Sequence, residues 1–228
     1  VLPEFFAVIP AAGRGLRMAL STPKQYLQIG GACVLEHSLA GFLAHPRLKH
    51  LVLALSADDP YWATLPCASN PRIATVTGGG ERADSVLAAL RQLAAMGAQA
   101  DDWVLVHDAA RPNLAPADLD RLLGTLADDD IGGLLAVPAR DTLKRAGADG
   151  RVDGTLCREQ LWHALTPQMF RFAPLYQALA GALAAGVAIT DEASALEWAG
   201  FRPKLVEGRW DNLKITRPQD LELLQGRL

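Results

Sequence analysis

Short, wholly apolar runs alternate along this chain with segments whose apolar positions recur every three or four residues. Phe5–Ile9 is an unbroken apolar run closed by Pro10, which predicts a buried strand. Val34–Ala44 places Leu35, Leu39, Phe42 and Leu43 on one helical face. Leu51–Leu55 and the more mixed Arg72–Thr77 read as strands, and Ala83–Met96 reads as a helix through Val86, Leu87, Leu90 and Leu93. Trp103–Val106 predicts a strand, Pro116–Leu126 a helix with proline in its first turn, and Gly132–Val137 another strand. Phe172–Ala185 and Asp191–Ala199 are expected helices, the second with Thr190 as its N-cap. Leu213–Thr216 is strand-like, and Pro218–Leu224 closes the chain as a helix.

Strand and helix alternating in this way predict an α/β fold: a single Rossmann-like domain over residues 1–228, with a mostly parallel twisted sheet flanked by helices. Ligands are expected beyond the carboxyl ends of the strands. One stretch breaks the alternation. Arg140–Arg158 is polar, carries Gly147, Gly150 and Gly154, and contains the turn-like A-D-G-R at Ala148–Arg151. It predicts a β-arm over 140–158 projecting from the body. A lone hairpin this polar is not stable in water. It either packs on another surface, most simply a second copy of the chain in a homodimer, or remains a mobile loop.

Composition narrows the partners. A chain of 228 residues can bury a real core, and 50% hydrophobic with 21% charged residues is ordinary for a globular protein. A net charge of −3 gives no global attraction to nucleic acid or to an anionic membrane. No apolar run approaches the roughly 18–20 residues needed to span a bilayer. Val1–Phe6, with Glu4 and no basic start, does not read as a secretory leader. Cys33, Cys67 and Cys157 lie far apart and lack C-x-x-C spacing, so reduced thiols in a cytoplasmic protein are expected rather than disulfides or a zinc site.

The candidate chemistry follows the strands. After the first comes P-A-A-G-R-G-L-R-M, with Ala11, Ala12, Gly13 and Gly15 offering backbone free of bulk. Arg14, Arg17 and Lys24 ring that backbone with positive charge, as the phosphates of a nucleoside triphosphate require. It is not a Walker A loop, since no G-K-[ST] follows, and Met18 stands where a Rossmann fingerprint has its third glycine. Strand Trp103–Val106 is followed by H-D-A-A-R-P. Asp108 there suits Mg2+, Arg111 could orient that carboxylate or meet an anion, and His107, without a second ligand nearby, reads as structural. Thr77–Ser85 joins Gly78, Gly79 and Gly80 to a helix start, where a planar base could lie against the backbone and Ser85 could add a hydroxyl. Thr142, Arg158, Thr166, Thr190, Asp191 and Lys214 offer hydroxyls, a carboxylate and cations suited to a phosphorylated polyol.

Together these motifs make the chain resemble the 2-C-methyl-D-erythritol 4-phosphate cytidylyltransferase family. The resemblance is carried in order by P-A-A-G-x-G-x-R-M, P-K-Q-Y-L, G-G-x-E-R-x-D-S-V, V-L-V-H-D-A-A-R-P, R-D-T-x-K, L-W-x-A-L-T-P-Q, T-D-E-A-S-A-L-E and D-N-x-K-I-T-R-P. It implies transfer of CMP from CTP to the methylerythritol phosphate, with Arg17 and Lys24 stabilising the transition state. It also implies that Ala11, Ala12, Gly13, Gly79, Gly80 and Ser85 surround the nucleotide, with Asp108 beside the magnesium ion. Arg14, Gly15 and Ala109 fall within the matched nucleotide motifs, and Arg111 is expected among the residues that position the substrate. Arg158, Lys214, Thr142, Thr166, Thr190 and Asp191 would position the polyol phosphate, Thr142 and Arg158 reaching from a partner's arm. Asp211 is expected from its position as a second metal ligand. Two departures stand out: Gly80 where some relatives carry Asp, and Cys157 where Asp is usual. Two other readings are a cytidylyltransferase for another polyol phosphate, such as ribitol 5-phosphate, and a non-catalytic nucleotide-binding subunit.

Overall fold

The structure is a computed structural model that describes residues 1–13 and 22–226. The chain enters through strand β1 (Phe5–Pro10), then a small hairpin of β2 (Gln28–Ile29) and β3 (Ala32–Cys33), and continues into helix α1 (Val34–Ala44). Strands β4 (Leu48–Leu55) and β5 (Ile73–Thr77) lead to α2 (Arg82–Ala95), and β6 (Trp103–Val106) to α3 (Pro116–Leu126). Strand β7 (Gly132–Pro138) runs out into an arm of β8 (Leu143–Ala146) and β9 (Val152–Leu156), and the chain returns as β10 (Trp162–Arg171). Helices α4 (Phe172–Ala184) and α5 (Glu192–Trp198), strand β11 (Lys204–Glu207) and helix α6 (Pro218–Leu224) complete it.

Seven strands form one sheet in the order β11-β7-β10-β6-β1-β4-β5. Strand β1 pairs in parallel with β4 and β6, and β10 runs antiparallel to both β6 and β7. Side chains alternate between the faces. Phe5, Ala7 and Ile9 of β1 pack with Leu35, Leu39 and Phe42 of α1 and Leu119, Leu122 and Leu126 of α3. Phe6 and Val8 pack on the other side with Val86, Leu90 and Leu93 of α2 and Leu175 and Leu179 of α4. Both faces are covered, which is why β1 is apolar at successive positions rather than at every second one. Each such Leu, Val or Phe withdrawn from water contributes roughly 1.5–3 kcal/mol before entropic costs.

From β1 the chain winds outward to β4 and β5, then crosses back to β6 on the other side of β1. A crevice therefore opens between β1 and β6 at their carboxyl ends, the point where open α/β sheets take ligands. Among the described residues, no helix is long and apolar enough to cross a membrane.

Helices α1, α3 and α6 have the predicted limits, and the other helices differ by a residue or two at their ends. Three expectations need correction. Leu213–Thr216 is not a strand: its backbone joins no ladder, Ile215 N–H donates to Ala110 O at 2.8 Å and Ile215 O accepts the Lys24 ammonium at 3.2 Å, while Leu213 and Ile215 sink into a small apolar cluster. The N-cap of α5 is Asp191, not Thr190, because the Asp191 carboxylate accepts the Ser194 N–H at 2.9 Å. Strands β10 and β11 lie where no strand was expected. The arm does form: β8 and β9 pair only with each other, through a turn at Gly147–Arg151 with Gly150 at φ +78°.

Candidate active site

A cavity of about 500 Å³ occupies the crevice above β1 and β6. Its floor is the chain leaving β1. Ala11 N–H donates to Ala54 O at 2.7 Å, and the buried Gln25 amide donates to Ala11 O at 2.8 Å and Gly13 O at 3.3 Å. Gln25 thus pins the opening loop from below and leaves its small side chains facing the cavity. Lys24, one residue earlier, points its ammonium to Ile215 O at 3.2 Å, so two distant segments meet at the cavity wall. Arg14, Gly15 and Arg17 lie outside the described residues.

The second wall is the glycine loop between β5 and α2. A Cβ on Gly78 would stand 2.6 Å from Ala12 Cβ, and one on Gly79 would stand 2.3 Å from Asp84 Cβ. Both approaches are closer than side chains tolerate, so those two positions exclude any larger residue. At Gly80 nothing lies within 4 Å. Ser85 shapes the loop: its hydroxyl accepts the Gly79 N–H at 3.1 Å and donates to Glu81 O at 3.2 Å.

The third wall centres on Asp108, which β6 delivers at its end. Its carboxylate meets Arg82 at 2.9 Å, Lys214 at 2.9 Å and Arg111 at 3.4 Å. Burial alone would raise the pKa of this group. The charges of Arg82, Lys214 and Arg111 overcome that and hold it far below the usual carboxylate range. Arg82 also grips Glu192 with two nitrogens, at 2.6 and 3.0 Å. Burial disfavours its charge, but Glu192 and then Asp108 reverse the effect and make the guanidinium a still weaker acid than usual.

Beneath Asp108 most polar groups are matched donor to acceptor, although the buried Asn212 Oδ1 has no hydrogen-bond partner. His107 has no exposed surface, and burial lowers its pKa to about 4, so the ring is neutral at pH 7. Its Nε2 faces Arg111 O at 3.0 Å and therefore carries the proton, while Nδ1 accepts from the Thr166 hydroxyl at 2.9 Å. That hydroxyl in turn accepts the Asp108 N–H at 3.1 Å. The Asn212 side-chain amide donates to Thr166 O at 2.7 Å, and the Asn212 backbone carbonyl accepts from Arg111 Nη1 at 2.7 Å. His107 is structural, as the sequence suggested.

The cavity gathers Ala11, Ala12, Gly13, Lys24, Gly79, Gly80, Ser85, Asp108, Ala109 and Lys214 from the sequence-predicted set. Arg111 and Thr166 lie just behind it, buried. Asp191 sits at the start of α5, its second carboxylate oxygen accepting Gln168 Nε2 at 2.9 Å, and Thr190 beside it is exposed. Thr142 and Arg158 are exposed on the arm and do not line the cavity; Arg158 donates to Arg140 O. The Asp211 carboxylate turns away onto Arg209. Sequence reasoning missed Gln25, Arg82, Gln168, Glu192 and Asn212 as site-building residues. All five lay inside the quoted motifs, next to residues that were singled out, and their place there was the available signal.

Comparison with known proteins shows the family. Residues 5–228 match the family model described as IspD, 2-C-methyl-D-erythritol 4-phosphate cytidylyltransferase. The curated enzyme of that name from Pseudomonas syringae pv. tomato is 66% identical over 226 residues, covering 99% of this chain and 96% of the relative. Among solved structures, the Francisella tularensis cytidylyltransferase aligns with TM-score 0.83 at 34% identity, covering 99% of this chain and 100% of that one. The cytidylyltransferase from Thermus thermophilus aligns with TM-score 0.81 at 30% identity, covering 98% of each. On its matched length, its fold and the relatives it resembles, this chain belongs to the 2-C-methyl-D-erythritol 4-phosphate cytidylyltransferase family.

Proposed function

We propose that this protein, as a single nucleotidyltransferase domain, transfers CMP from CTP to 2-C-methyl-D-erythritol 4-phosphate in the cavity between β1 and β6. The products are 4-diphosphocytidyl-2-C-methyl-D-erythritol and pyrophosphate, a step in isoprenoid precursor synthesis. The observation that carries this reading is Asp108, set among Arg82, Arg111 and Lys214 beside a glycine loop whose Gly78 and Gly79 are closed to larger side chains.

The nucleophile is already an anion, so the reaction needs little general base. It needs two anions brought together in line at the α-phosphorus and a growing charge on pyrophosphate offset. Lys24 and Lys214, on opposite segments of one cavity wall, supply positive charge to the triphosphate and to the incoming phosphate. Arg17 is assigned to the triphosphate by the family resemblance. The glycine loop takes the cytosine, with backbone groups reading its edge. Thr166 and Asp191 belong to the polyol side, with Thr190 exposed nearby.

A magnesium ion would be held by Asp108 together with phosphate oxygens of CTP. The donor chemistry fits: an ionised, hard oxygen ligand lines the cavity, and magnesium is commonly held by one or two carboxylates plus substrate phosphates. Once bound it supplies charge neutralisation on the triphosphate. Asp211, committed to Arg209, is a weaker second ligand.

The active form is taken as a cytoplasmic homodimer joined by the arms, consistent with three free cysteines and with Val152 left 64% exposed on the hairpin. Pyrophosphate release from CTP, measured with the methylerythritol phosphate and with ribitol 5-phosphate, tests the reaction. Rapid release with the first and little with the second is expected. Tight CTP binding without turnover would sink the reading.

A further inference from the structure

Arg82 stands between two carboxylates, and only one of them borders the cavity. Its Nε donates to Asp108 Oδ1 at 2.9 Å, while Nη1 and Nη2 donate to Glu192 Oε1 and Oε2 at 2.6 and 3.0 Å. Glu192 has no exposed surface and does not line the cavity. The planar guanidinium uses three nitrogens at once here, an arrangement that a lysine ammonium cannot reproduce.

Stability alone gives little reason for such a group. The desolvation penalty of a buried ion pair commonly cancels its attraction, and well-packed apolar side chains often do as well. Its position in the fold is more telling. Arg82 opens α2, two residues after Gly80; Glu192 opens α5, beside Thr190 and Asp191; Asp108 lies two residues past the end of β6. One guanidinium therefore ties the nucleotide loop, the central carboxylate and the polyol side together. Asp108 in turn holds the Lys214 ammonium at 2.9 Å.

We propose that Arg82 and Glu192 are positioning residues for the transfer reaction. Glu192 fixes the orientation of the guanidinium fork, and the fork fixes Asp108 and, through it, Lys214. This rests on the reading in which Asp108 and Lys214 serve CTP and the polyol phosphate.

Glu192→Gln keeps the side-chain size, removes the charge and replaces one of the two acceptor oxygens with a donor NH2. Arg82→Lys keeps the charge but cannot span both carboxylates. Turnover is to be measured per CTP-binding site, so that loss of folded protein does not count. For either variant kcat per site should fall about 10- to 100-fold while the KM for CTP stays within about threefold, as displacement of reacting groups produces. The double variant should fall no more than about threefold below the weaker single, because the two residues act as one unit. Should Glu192→Gln not fold, Arg82→Lys decides alone. A per-site kcat within about twofold of the parent in either folded variant overturns the proposal, as does a raised KM with unchanged kcat or a multiplicative loss in the double. If the parent itself releases no pyrophosphate with the methylerythritol phosphate, the underlying reading fails instead. Normal parent turnover with unaffected variants removes only the positioning role.

Discussion

Gly78, Gly79 and Gly80 look identical in the sequence, and the fold makes them different. Gly79 is pressed against Asp84, whose carboxylate accepts the Glu81 N–H at 3.0 Å and cannot retreat without opening the start of α2. Gly80 faces open space along the same cavity. Gly79→Ala should therefore weaken CTP binding by about tenfold or more, the equivalent of roughly 1.4 kcal/mol, whereas Gly80→Ala should stay within about threefold. Calorimetric titration with CTP reads both, and equal affinities in the two variants would contradict this view of the loop. The existence of a glycine loop was legible in the sequence. Which glycine is obligatory was not, because the atoms that exclude a side chain at Gly78 belong to Ala12, on another strand's exit, and to Ser85, which the turn into α2 folds back against it. Arg82 and Glu192 escaped notice for a related reason: each reads as an ordinary charge at a helix start until the fold sets them 2.6 Å apart.

Among the elements, β10 is the one that the apolar pattern hid. Thr166, Pro167 and Gln168 interrupt its hydrophobic run, and a proline argues against a central strand. The structure accommodates it at a register shift against β7, between Ala164 and Gln168. The polar residues there are buried because they have work beyond the strand. Gln168 donates to Asp191 and accepts the Ala193 N–H at 2.8 Å, so it fastens the first turn of α5 to the sheet. Gln168→Leu would leave that buried N–H without a partner, costing about 1–3 kcal/mol in urea unfolding. Hydrogen exchange should quicken first at Ala193 and Ser194. Unchanged stability and exchange would show that α5 is held by its apolar face alone. Strand β11 was hidden differently: it is a short edge strand whose ends, Lys204 and Glu207, are charged and exposed.

For the molecule as a whole, the winding of strands and helices was legible because both faces of the sheet are covered and its parallel strands are short apolar runs. How the arm relates to the cavity was not, since sequence patterns describe one chain. The arm's Arg158 and Thr142 do not reach their own chain's cavity. If they complete a partner's site, Lys24→Ala and Arg158→Ala chains should rescue each other. Each variant alone should lose on the order of 10²–10³ in kcat, as removal of a preorganised charge does. After unfolding and refolding together in equal amounts, half the dimers are mixed, each with one intact site, restoring about a quarter of parental activity. No recovery would mean that the arm works in cis or not at all. The reversed direction of β10 makes such sharing geometrically cheap. Trp162 of β10 lies opposite Pro138 at the end of β7, so the outgoing and returning chain meet at the same rim of the sheet. A crossover helix would have carried the return to the far rim, but a doubling-back strand keeps both roots of the excursion on the side where the cavity opens. Insertions there would lengthen the arm while leaving the seven-stranded platform undisturbed.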